Sequence, residues 1–253
     1  MSGTPKLSVT IPCYNEETTL PETIPPLLDK LDMLDVHYEL VLVDNGSVDA
    51  TPDIIDGFIA AGRPVRRANV PINKGYGLGI ITGVKASIGE HICVMWADGQ
   101  VSPEDVAAVC RQSLLEQKNV MVKVRRITRG DGPLRKFISS VYNMLFKILF
   151  GRITPDVNGC PKVAHRDYWW LIDPGIKTSF IDAEIMIKAS RLGMNIVEVP
   201  VKFLPRRHGG SKVRLIGYIV IFLGDLITYR FGRALPTWER QIKKAAANEF
   251  VKE

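Results

Sequence analysis

Cysteine and histidine are scarce in this sequence of 253 residues, with four of each. The cysteines are scattered, and no Cys-x-x-Cys pair or His–Cys cluster occurs, which argues against a structural zinc site. Because they lie mostly in apolar runs, we interpret Cys13, Cys93, Cys110 and Cys160 as reduced thiols of the core. The first six residues lead into a strand without a hydrophobic leader, which argues against secretion.

Long uninterrupted apolar runs are absent as well. A membrane-spanning helix needs about 20 apolar residues with few charges, whereas Leu215–Phe231 is shorter and contains Asp225. This segment and residues 134–150 both have basic residues close by, as do helices that lie in a membrane interface. For residues 134–150, burial in the core is an equal alternative. For Leu215–Phe231 we expect the interface, because the polar tail after it offers little to pack against.

Negative charge is scarce in two stretches of the chain. Residues 120–150 contain seven Lys or Arg and one acid, residues 200–214 contain five and none, and the whole chain carries +6. Such a concentration of positive charge predicts a polyanionic partner (nucleic acid, phospholipid or a phosphorylated substrate). A solvated basic face is the alternative. Neither an aromatic RNA-binding platform nor a helix-turn-helix pattern is present, so we expect no nucleic acid.

The chain alternates strand and helix patterns, which predicts an α/β fold with a mostly parallel central sheet and helices on both faces. We expect strands at residues 7–11, 38–43, 65–69, 92–96, 120–124, 156–164 and 195–203. Helices are expected at residues 17–34, 51–61, 75–88, 103–117 and 182–192, with a basic loop at 125–132.

Polar clusters follow three of the expected strands. They are Tyr14-Asn15-Glu16, Asp44-Asn45-Gly46-Ser47 and Asp98-Gly99-Gln100. Ligands of such sheets bind beyond the carboxyl ends of the strands, so we expect the clusters to converge on one edge. The glycine-rich helix start at residues 73–79 adds Lys74, a combination suited to the approach of a diphosphate.

With these clusters and in this order, residues 7–229 resemble the inverting family 2 glycosyltransferases of GT-A type. More narrowly, they resemble the branch of dolichol-phosphate mannosyltransferases and polyprenyl-phosphate glycosyltransferases. Further markers stand at residues 124–126, 156–159, 182–184, 198–201 and 205–212, the last being the most specific. The resemblance implies a GT-A domain over residues 1–213 and a membrane-interface helix with a polar tail over residues 214–253.

The resemblance also implies roles for individual residues. Those of the nucleotide-sugar donor site are Pro12, Tyr14, Glu16, Asp44, Asn45, Lys74 and Asp98. Asp98 and Gln100 match positions that bind Mg²⁺ or Mn²⁺ and the diphosphate, and Asp182 and Glu184 lie near the sugar by analogy. The acceptor phosphate would be held by Arg125, Arg135, Ser139, Arg206, Arg207 and Lys212.

The implied reaction moves one sugar from a nucleotide-diphosphate donor to a polyprenyl (dolichyl or undecaprenyl) phosphate. The enzyme would work as a peripheral protein on the anionic cytoplasmic face of a membrane, with room for a membrane-embedded partner subunit. A polyprenyl phosphate is already anionic and needs no strong general base. The alternative is a family 2 enzyme that extends a saccharide; it needs a base such as Asp182 or Glu184 and leaves the arginine clusters unexplained.

Trp96 departs from the family pattern, which is Asp-x-Asp at residues 96–98, where the fourth expected strand ends. Tryptophan cannot ligate a metal, so only Asp98 of the two acids remains. Three outcomes are open. In the first, Asp98, Gln100 and the donor diphosphate hold Mg²⁺ or Mn²⁺ among waters. In the second, activity depends less on a metal, and Lys74 or the arginines take over part of its role. In the third, the chain is a catalytically silent donor-binding subunit.

Overall fold

The computed structural model describes residues 3–129, 133–205 and 215–250. Within them the strands are β1 (Leu7–Cys13), β2 (Tyr38–Asp44), β3 (Val65–Asn69), β4 (His91–Val94), β5 (Val120–Arg129), β6 (Lys162–His165) and β7 (Asn195–Phe203). The helices are α1 (Leu20–Asp32), α2 (Thr51–Ala60), α3 (Tyr76–Ala86), α4 (Pro103–Leu115), α5 (Pro133–Phe150), α6 (Arg166–Ile172), α7 (Ile181–Arg191), α8 (Leu215–Phe231) and α9 (Ala234–Phe250).

The strands form one sheet in the order β3-β2-β1-β4-β6-β5-β7. Only β6 runs antiparallel to its neighbours β4 and β5, and all other pairs are parallel. Every residue of β1 is buried, the polar Ser8 and Thr10 included, because helices cover the sheet on both faces. This architecture confirms the predicted α/β fold.

Apolar clusters occupy both faces of the sheet, and two of the three are large. Residues of α1, α2 and α4 pack with the sheet in one cluster, and residues of α3 and α5–α9 form the other. Trp169 of α6, fully buried, donates its indole N–H to the carbonyl of Ile92 at 2.9 Å and ties the second cluster to β4. The sheet is therefore held from both sides, which fixes the positions of its strand ends.

Two predictions about the middle of the chain are wrong. The expected basic loop at residues 125–132 begins as strand, because β5 pairs with β7 as far as Arg129 beside Phe203. The expected strand at residues 156–164 is confined to β6, and residues 156–159 form a turn. That turn packs so closely on β5 that a Cβ added to Gly159 would lie 2.2 Å from the carbonyl oxygen of Val124.

The polar tail expected after α8 is mostly helix α9, and it packs against the rest of the protein. Leu235 and Trp238 of this helix are buried, and the indole of Trp238 donates to the carbonyl of Leu171 at 2.9 Å. Helix α8 in turn buries Leu226 and Tyr229. The reason for expecting α8 to lack packing partners was therefore mistaken, although its position relative to a membrane stays a prediction.

The glycines at the start of α3 allow the chain's own backbone to come close. Gly75 has a φ of +112°, and a Cβ there would lie 2.5 Å from the carbonyl oxygen of Lys177. A Cβ on Gly77 would lie 2.2 Å from the carbonyl oxygen of Ile176. Both distances are too short for any side chain, so these two glycines are required by packing against residues 176–178.

Candidate functional site

The three polar clusters lie at one edge of the sheet. Cys13 at the end of β1 lies beside Asp44 at the end of β2, and Val94 at the end of β4 lies beside Thr10. The amide of Asn45 continues the ladder by donating to the carbonyl of Cys13 at 2.8 Å. The convergence predicted from the sequence is confirmed by this register.

The loops after β1 and β2 are fastened to each other. The amide of Asn15 donates to Ser47 Oγ at 3.1 Å, and the amide of Val48 donates back to Asn15 Oδ1 at 3.0 Å. The amide of Glu16 donates to Thr51 Oγ1 at 2.8 Å. These hydrogen bonds join residues 14–16 to residues 45–51, and the two loops together form one rim.

This rim presents most of the predicted donor residues. Pro12 is buried beneath it, Glu16 is half-buried, and Tyr14 is 36% exposed. Asp44 accepts from the amide of Ser47 at 2.9 Å. Lys74 lies exposed just before α3. An exposed ring beside two carboxylates can stack on a base and accept hydrogen bonds from a nucleoside.

Asn45 makes a hydrogen bond that an aspartate in its place could not make. It is 3% exposed, and its Nδ2 donates to the carbonyl of Gly75 at 3.2 Å. A carboxylate cannot donate this bond. The amide therefore joins the end of β2 to the start of α3.

The turn after β4 contains Asp98, which is half-buried and accepts from the amide of Gln100 at 3.1 Å. Gln100 is 6% exposed and donates through Nε2 to the carbonyl of Leu204 at 3.0 Å. In the described part of the chain, no group of three or more His, Cys, Asp or Glu side chains could hold a metal. One carboxylate fits Mg²⁺ or Mn²⁺ only where substrate phosphates supply further oxygens.

Trp96 is partly buried and lies between three elements. Its ring meets that of Phe203 edge-on, with centroids 6.0 Å apart at 77°. Arg126 Cζ lies 5.7 Å from the Trp96 centroid and 5.2 Å from that of Phe203. On the side of α3 its neighbour is Tyr76, whose pKa is raised well above the ordinary value by burial and by the charge of nearby groups that include Asp182.

Behind Trp96, Arg126 and Asp156 form a buried ion pair. Arg126 Nε lies 2.9 Å from Asp156 Oδ2, Nη2 lies 2.6 Å from Oδ1, and the amide of Arg126 also donates to Oδ2 at 3.0 Å. Burial alone raises the pKa of Asp156, but the hydrogen bonds and charge of Arg126, helped by Lys123, outweigh it and lower that pKa. Sequence reasoning missed this pair, although both residues stand in motifs it singled out.

Arg125 faces the solvent, unlike Arg126. Its side chain is 47% exposed, and Nε lies 4.0 Å from Glu198 Oε2. Glu198 also lies 3.6 Å from the fully buried Lys123, whose pKa burial lowers to about 8 against the opposing charges of Asp156 and Glu198. Arg125 is thus a cation that can reach a ligand beyond β5.

The two acids of α7 are used within the protein. Asp182 is 5% exposed and pairs with the buried ammonium of Lys162. Glu184 is 3% exposed and pairs with Lys188 at 2.9 Å. Its other oxygen accepts from the amides of Gly175 and Ile176 at 3.0 and 2.8 Å. The predicted location of both acids near the sugar stays a prediction.

The remaining acceptor residues are described only in part. Ser139 is half-buried on α5. Asn143, one turn further along α5, accepts from the amide of Val157 at 3.2 Å and holds this helix to the turn that contains Asp156. The side chain of Arg135 and all of Arg206, Arg207 and Lys212 lie outside the described residues.

Solved structures share this fold. Glucosyl-3-phosphoglycerate synthase from Mycobacterium tuberculosis, in complex with Mn²⁺, UDP and glucosyl-3-phosphoglycerate, matches with a TM-score of 0.66. The match covers 89% of this chain and 80% of that one at 21% identity. The same synthase with Mg²⁺ and UDP also has a TM-score of 0.66, at 21% identity over 89% and 79% of the two chains. The architecture is that of a GT-A glycosyltransferase.

Sequence comparison identifies the family. The model described as glycosyl transferase family 2 matches residues 8–170, and the chain belongs to this family. Among similar curated proteins is the undecaprenyl-phosphate 4-deoxy-4-formamido-L-arabinose transferase of Photorhabdus laumondii, 30% identical over 88% of this chain and 67% of its own length. The protein of the same description from Shewanella sediminis is 31% identical over 88% and 66%. The chain is thus a glycosyltransferase, as its sequence predicts.

Replacing Asp156 with asparagine is expected to lower the free energy of unfolding by about 3 kcal/mol, because it leaves the buried charge of Arg126 unpaired. Since folding lowers the pKa of Asp156, its stabilisation is complete above the unfolded value of about 3.9 and is lost as the pH falls through the folded value. Urea unfolding between pH 7 and pH 3 should therefore show the difference between wild type and variant shrinking towards the acid end.

The matched control is Asp167→Asn, at an exposed ion pair with Lys118 of 3.2 Å. That substitution is expected to cost less than about 1 kcal/mol at any pH. Equal effects of the two substitutions would contradict the importance given to the buried pair.

Proposed function

We propose that this glycosyltransferase moves one sugar from a nucleotide-diphosphate donor to a polyprenyl phosphate, with inversion at the anomeric carbon. The carrying observation is that the Asp98 turn and Arg125 follow positions that lie side by side in the sheet. Val94, Lys162 and Lys123 lie side by side across β4, β6 and β5. The segments that follow Val94 and Lys123 are therefore about 10 Å apart, which is two strand spacings.

The donor would occupy the rim and the Asp98 turn. Tyr14, Glu16 and Asp44 suit the nucleoside, and Lys74 adds a cation near the diphosphate. Mg²⁺ or Mn²⁺ would be held by Asp98, by the diphosphate and, through its Oε1, by Gln100, a set of hard oxygen ligands. A bound metal would offset the negative charge of the departing diphosphate.

The acceptor phosphate would meet Arg125 beside that turn. Arginine suits a phosphate because its planar fork gives two parallel hydrogen bonds, and Arg125 is 47% exposed. The phosphate would also be bound by Arg135, Ser139, Arg206, Arg207 and Lys212. The main task of the cations is to bring two anions together against their repulsion.

In the proposed step, an oxygen of the lipid phosphate forms a bond with the anomeric carbon as the bond from that carbon to the diphosphate breaks. The nucleoside diphosphate leaves with the electron pair from the opposite side, so the configuration is inverted. The attacking oxygen is ionised at neutral pH, and no proton must be removed from it. Positioning and charge stabilisation then account for the catalysis.

The environment of the two acids of α7 favours this acceptor over a saccharide hydroxyl. A hydroxyl needs a general base within reach, and both candidates are buried and paired with a lysine, Asp182 with Lys162 and Glu184 with Lys188. An anionic acceptor needs neither. The relatives described as undecaprenyl-phosphate transferases support the same choice.

We also propose that α5 and α8 bring the enzyme to an anionic membrane surface, as a peripheral protein on the cytoplasmic face. Phe137, Met144 and Ile148 are more than half exposed along α5, as are Ile221, Ile227 and Phe231 along α8. The three on α5 lie along one face of that helix and form an apolar stripe. Among the described residues no helix is long and apolar enough to span a bilayer. Whether residues 214–253 form a separate appendage stays a prediction.

The transfer assay uses radiolabelled nucleotide sugars, undecaprenyl phosphate and Mn²⁺ or Mg²⁺. Wild type is expected to form labelled lipid, and Asp98→Asn should reduce the rate at least about a hundredfold, as removal of a charge-stabilising group commonly does. Circular dichroism confirms that the variant is folded. Donor binding by wild type without any transfer would identify a silent donor-binding subunit instead.

Arg125→Ala should raise the KM for undecaprenyl phosphate about tenfold or more, since a hydrogen bond to a charged group contributes roughly 1.5–3 kcal/mol. The KM for the donor should change little. Arg111→Ala, at an exposed arginine of α4, is the matched control and should leave both constants unchanged. A rise in the donor KM alone would assign Arg125 to the donor side.

Sedimentation with vesicles of phosphatidylglycerol and phosphatidylcholine tests the membrane proposal. Ile148→Glu should weaken binding, because it puts a charge into the apolar stripe of α5, and salt should release wild type. Leu115→Glu is the matched control, because Leu115 is 78% exposed at the end of α4 and lies outside the stripe. Equal loss with both variants, or with neither, would contradict the assignment to α5.

A further inference from the structure

The turn from Trp96 to Gln100 is bound at two points to the end of β7. The Trp96 ring meets Phe203, the last residue of β7, edge-on. Gln100 exchanges two hydrogen bonds with Leu204: the amide of Leu204 donates to the carbonyl of Gln100 at 2.8 Å, and Gln100 Nε2 donates to the carbonyl of Leu204 at 3.0 Å. These contacts join segments that are about a hundred residues apart in the sequence.

The orientation of the Gln100 amide follows from its partner. A carbonyl oxygen accepts and cannot donate, so the group that meets Leu204 must be the NH₂ of the side chain. Gln100 is 6% exposed, and breaking this bond would leave the carbonyl of Leu204 with a lost partner. The NH₂ of Gln100 therefore makes a structural contact that is separate from any bond between Oε1 and a metal.

Arg126 makes the junction rigid. Its guanidinium lies over Trp96 and Phe203, at 5.7 and 5.2 Å from their centroids, while Asp156 holds it in place. A cation over an aromatic face attracts the ring. The two rings thus share one fixed cation, and an aspartate at position 96 would offer no such face.

Leu204 stands two residues before Arg206 in the sequence. We propose that Trp96 and Gln100 are positioning residues that couple the turn from Trp96 to Gln100, on the proposed donor side, to the end of β7, which leads to the proposed acceptor residues Arg206 and Arg207. Gln100 acts through its NH₂ on Leu204, and Trp96 acts through Phe203 and Arg126. This inference rests on the proposed function for the identity of the two substrates, but the junction itself consists of contacts between described residues.

Gln100→Glu separates positioning from metal binding. Glutamate keeps the length and gives oxygens that ligate a metal well, but it cannot donate to Leu204 and places a carboxylate against that carbonyl. We expect Mn²⁺ affinity, measured by electron paramagnetic resonance with a nucleoside diphosphate present, to be equal or higher. The KM for undecaprenyl phosphate should rise about tenfold, as the loss of roughly 1.4 kcal/mol would give.

Trp96→Asp supplies the same separation at the other contact. It restores the family's acid, so Mn²⁺ should bind more tightly, yet it removes the ring from Phe203 and Arg126, so the acceptor KM should rise. Trp96→Phe keeps an aromatic ring and should recover most of the acceptor affinity. Trp170→Asp, at a tryptophan that is 48% exposed on α6, controls for the general loss of an indole and should leave both readouts unchanged.

Hydrogen–deuterium exchange supplies a readout that does not need turnover. In Gln100→Glu, amides of residues 198–205 should exchange faster, while those of β1 and β2 keep their protection. The proposal is overturned if Gln100→Glu retains both the wild-type acceptor KM and the wild-type exchange. It is also overturned if Gln100→Glu and Trp96→Asp change only the KM of the donor. A wild type without transfer activity would refute the proposed function. Hydrogen–deuterium exchange would then still test whether Gln100 holds the end of β7.

Discussion

The guanidinium of Arg126 and the carboxylate of Asp156 meet inside the protein, with Nε–Oδ2 at 2.9 Å and Nη2–Oδ1 at 2.6 Å. Two charges removed from water are tolerated only with good geometry and further hydrogen bonds, and this pair has both. It connects β5 to the turn at residues 156–159, and through the rings of Trp96 and Phe203 it reaches the end of β4 and the end of β7. The pair thus ties together β5, the turn at residues 156–159 and the ends of β4 and β7.

Neutralising Arg126 in this way leaves its neighbour as the cation that faces the solvent. Residues 125 and 126 alternate in direction along β5, as strand residues do, so one guanidinium turns inwards to Asp156 and the other outwards. The exposed one, Arg125, is held loosely, at 4.0 Å from Glu198. The positive charge of this stretch is therefore divided between a buried ion pair and an exposed cation, and the net charge read from the sequence overstates the charge at the surface.

The sequence predicted the first half of the fold well, because apolar runs there end at proline, glycine or aspartate. β3 was predicted at its observed residues, and β2 was predicted to within one residue. The ends of β5 and the turn at 156–159 were not predictable, since they depend on pairing with β7 and on an ion pair between residues 30 positions apart. Helix α9 was missed because its polar composition concealed the two anchors, Leu235 and Trp238. At the site, the convergence of the strand ends could be predicted, whereas the partners of Gln100 and Glu184 could not.

Tryptophan at position 96 gives up a metal ligand and gains contacts that order the turn. An acid at this position would help to fix a metal only when the metal and donor are present, and its repulsion from Asp98 would otherwise loosen the turn. A tryptophan in contact with Phe203 and Arg126 orders the turn at all times. Preorganised groups cost no reorganisation at the moment of reaction, so a fixed turn with one acid can replace part of what a second ligand contributes. On this argument the loss of one carboxylate from the turn and the firmer junction to β7 are consequences of the same residue.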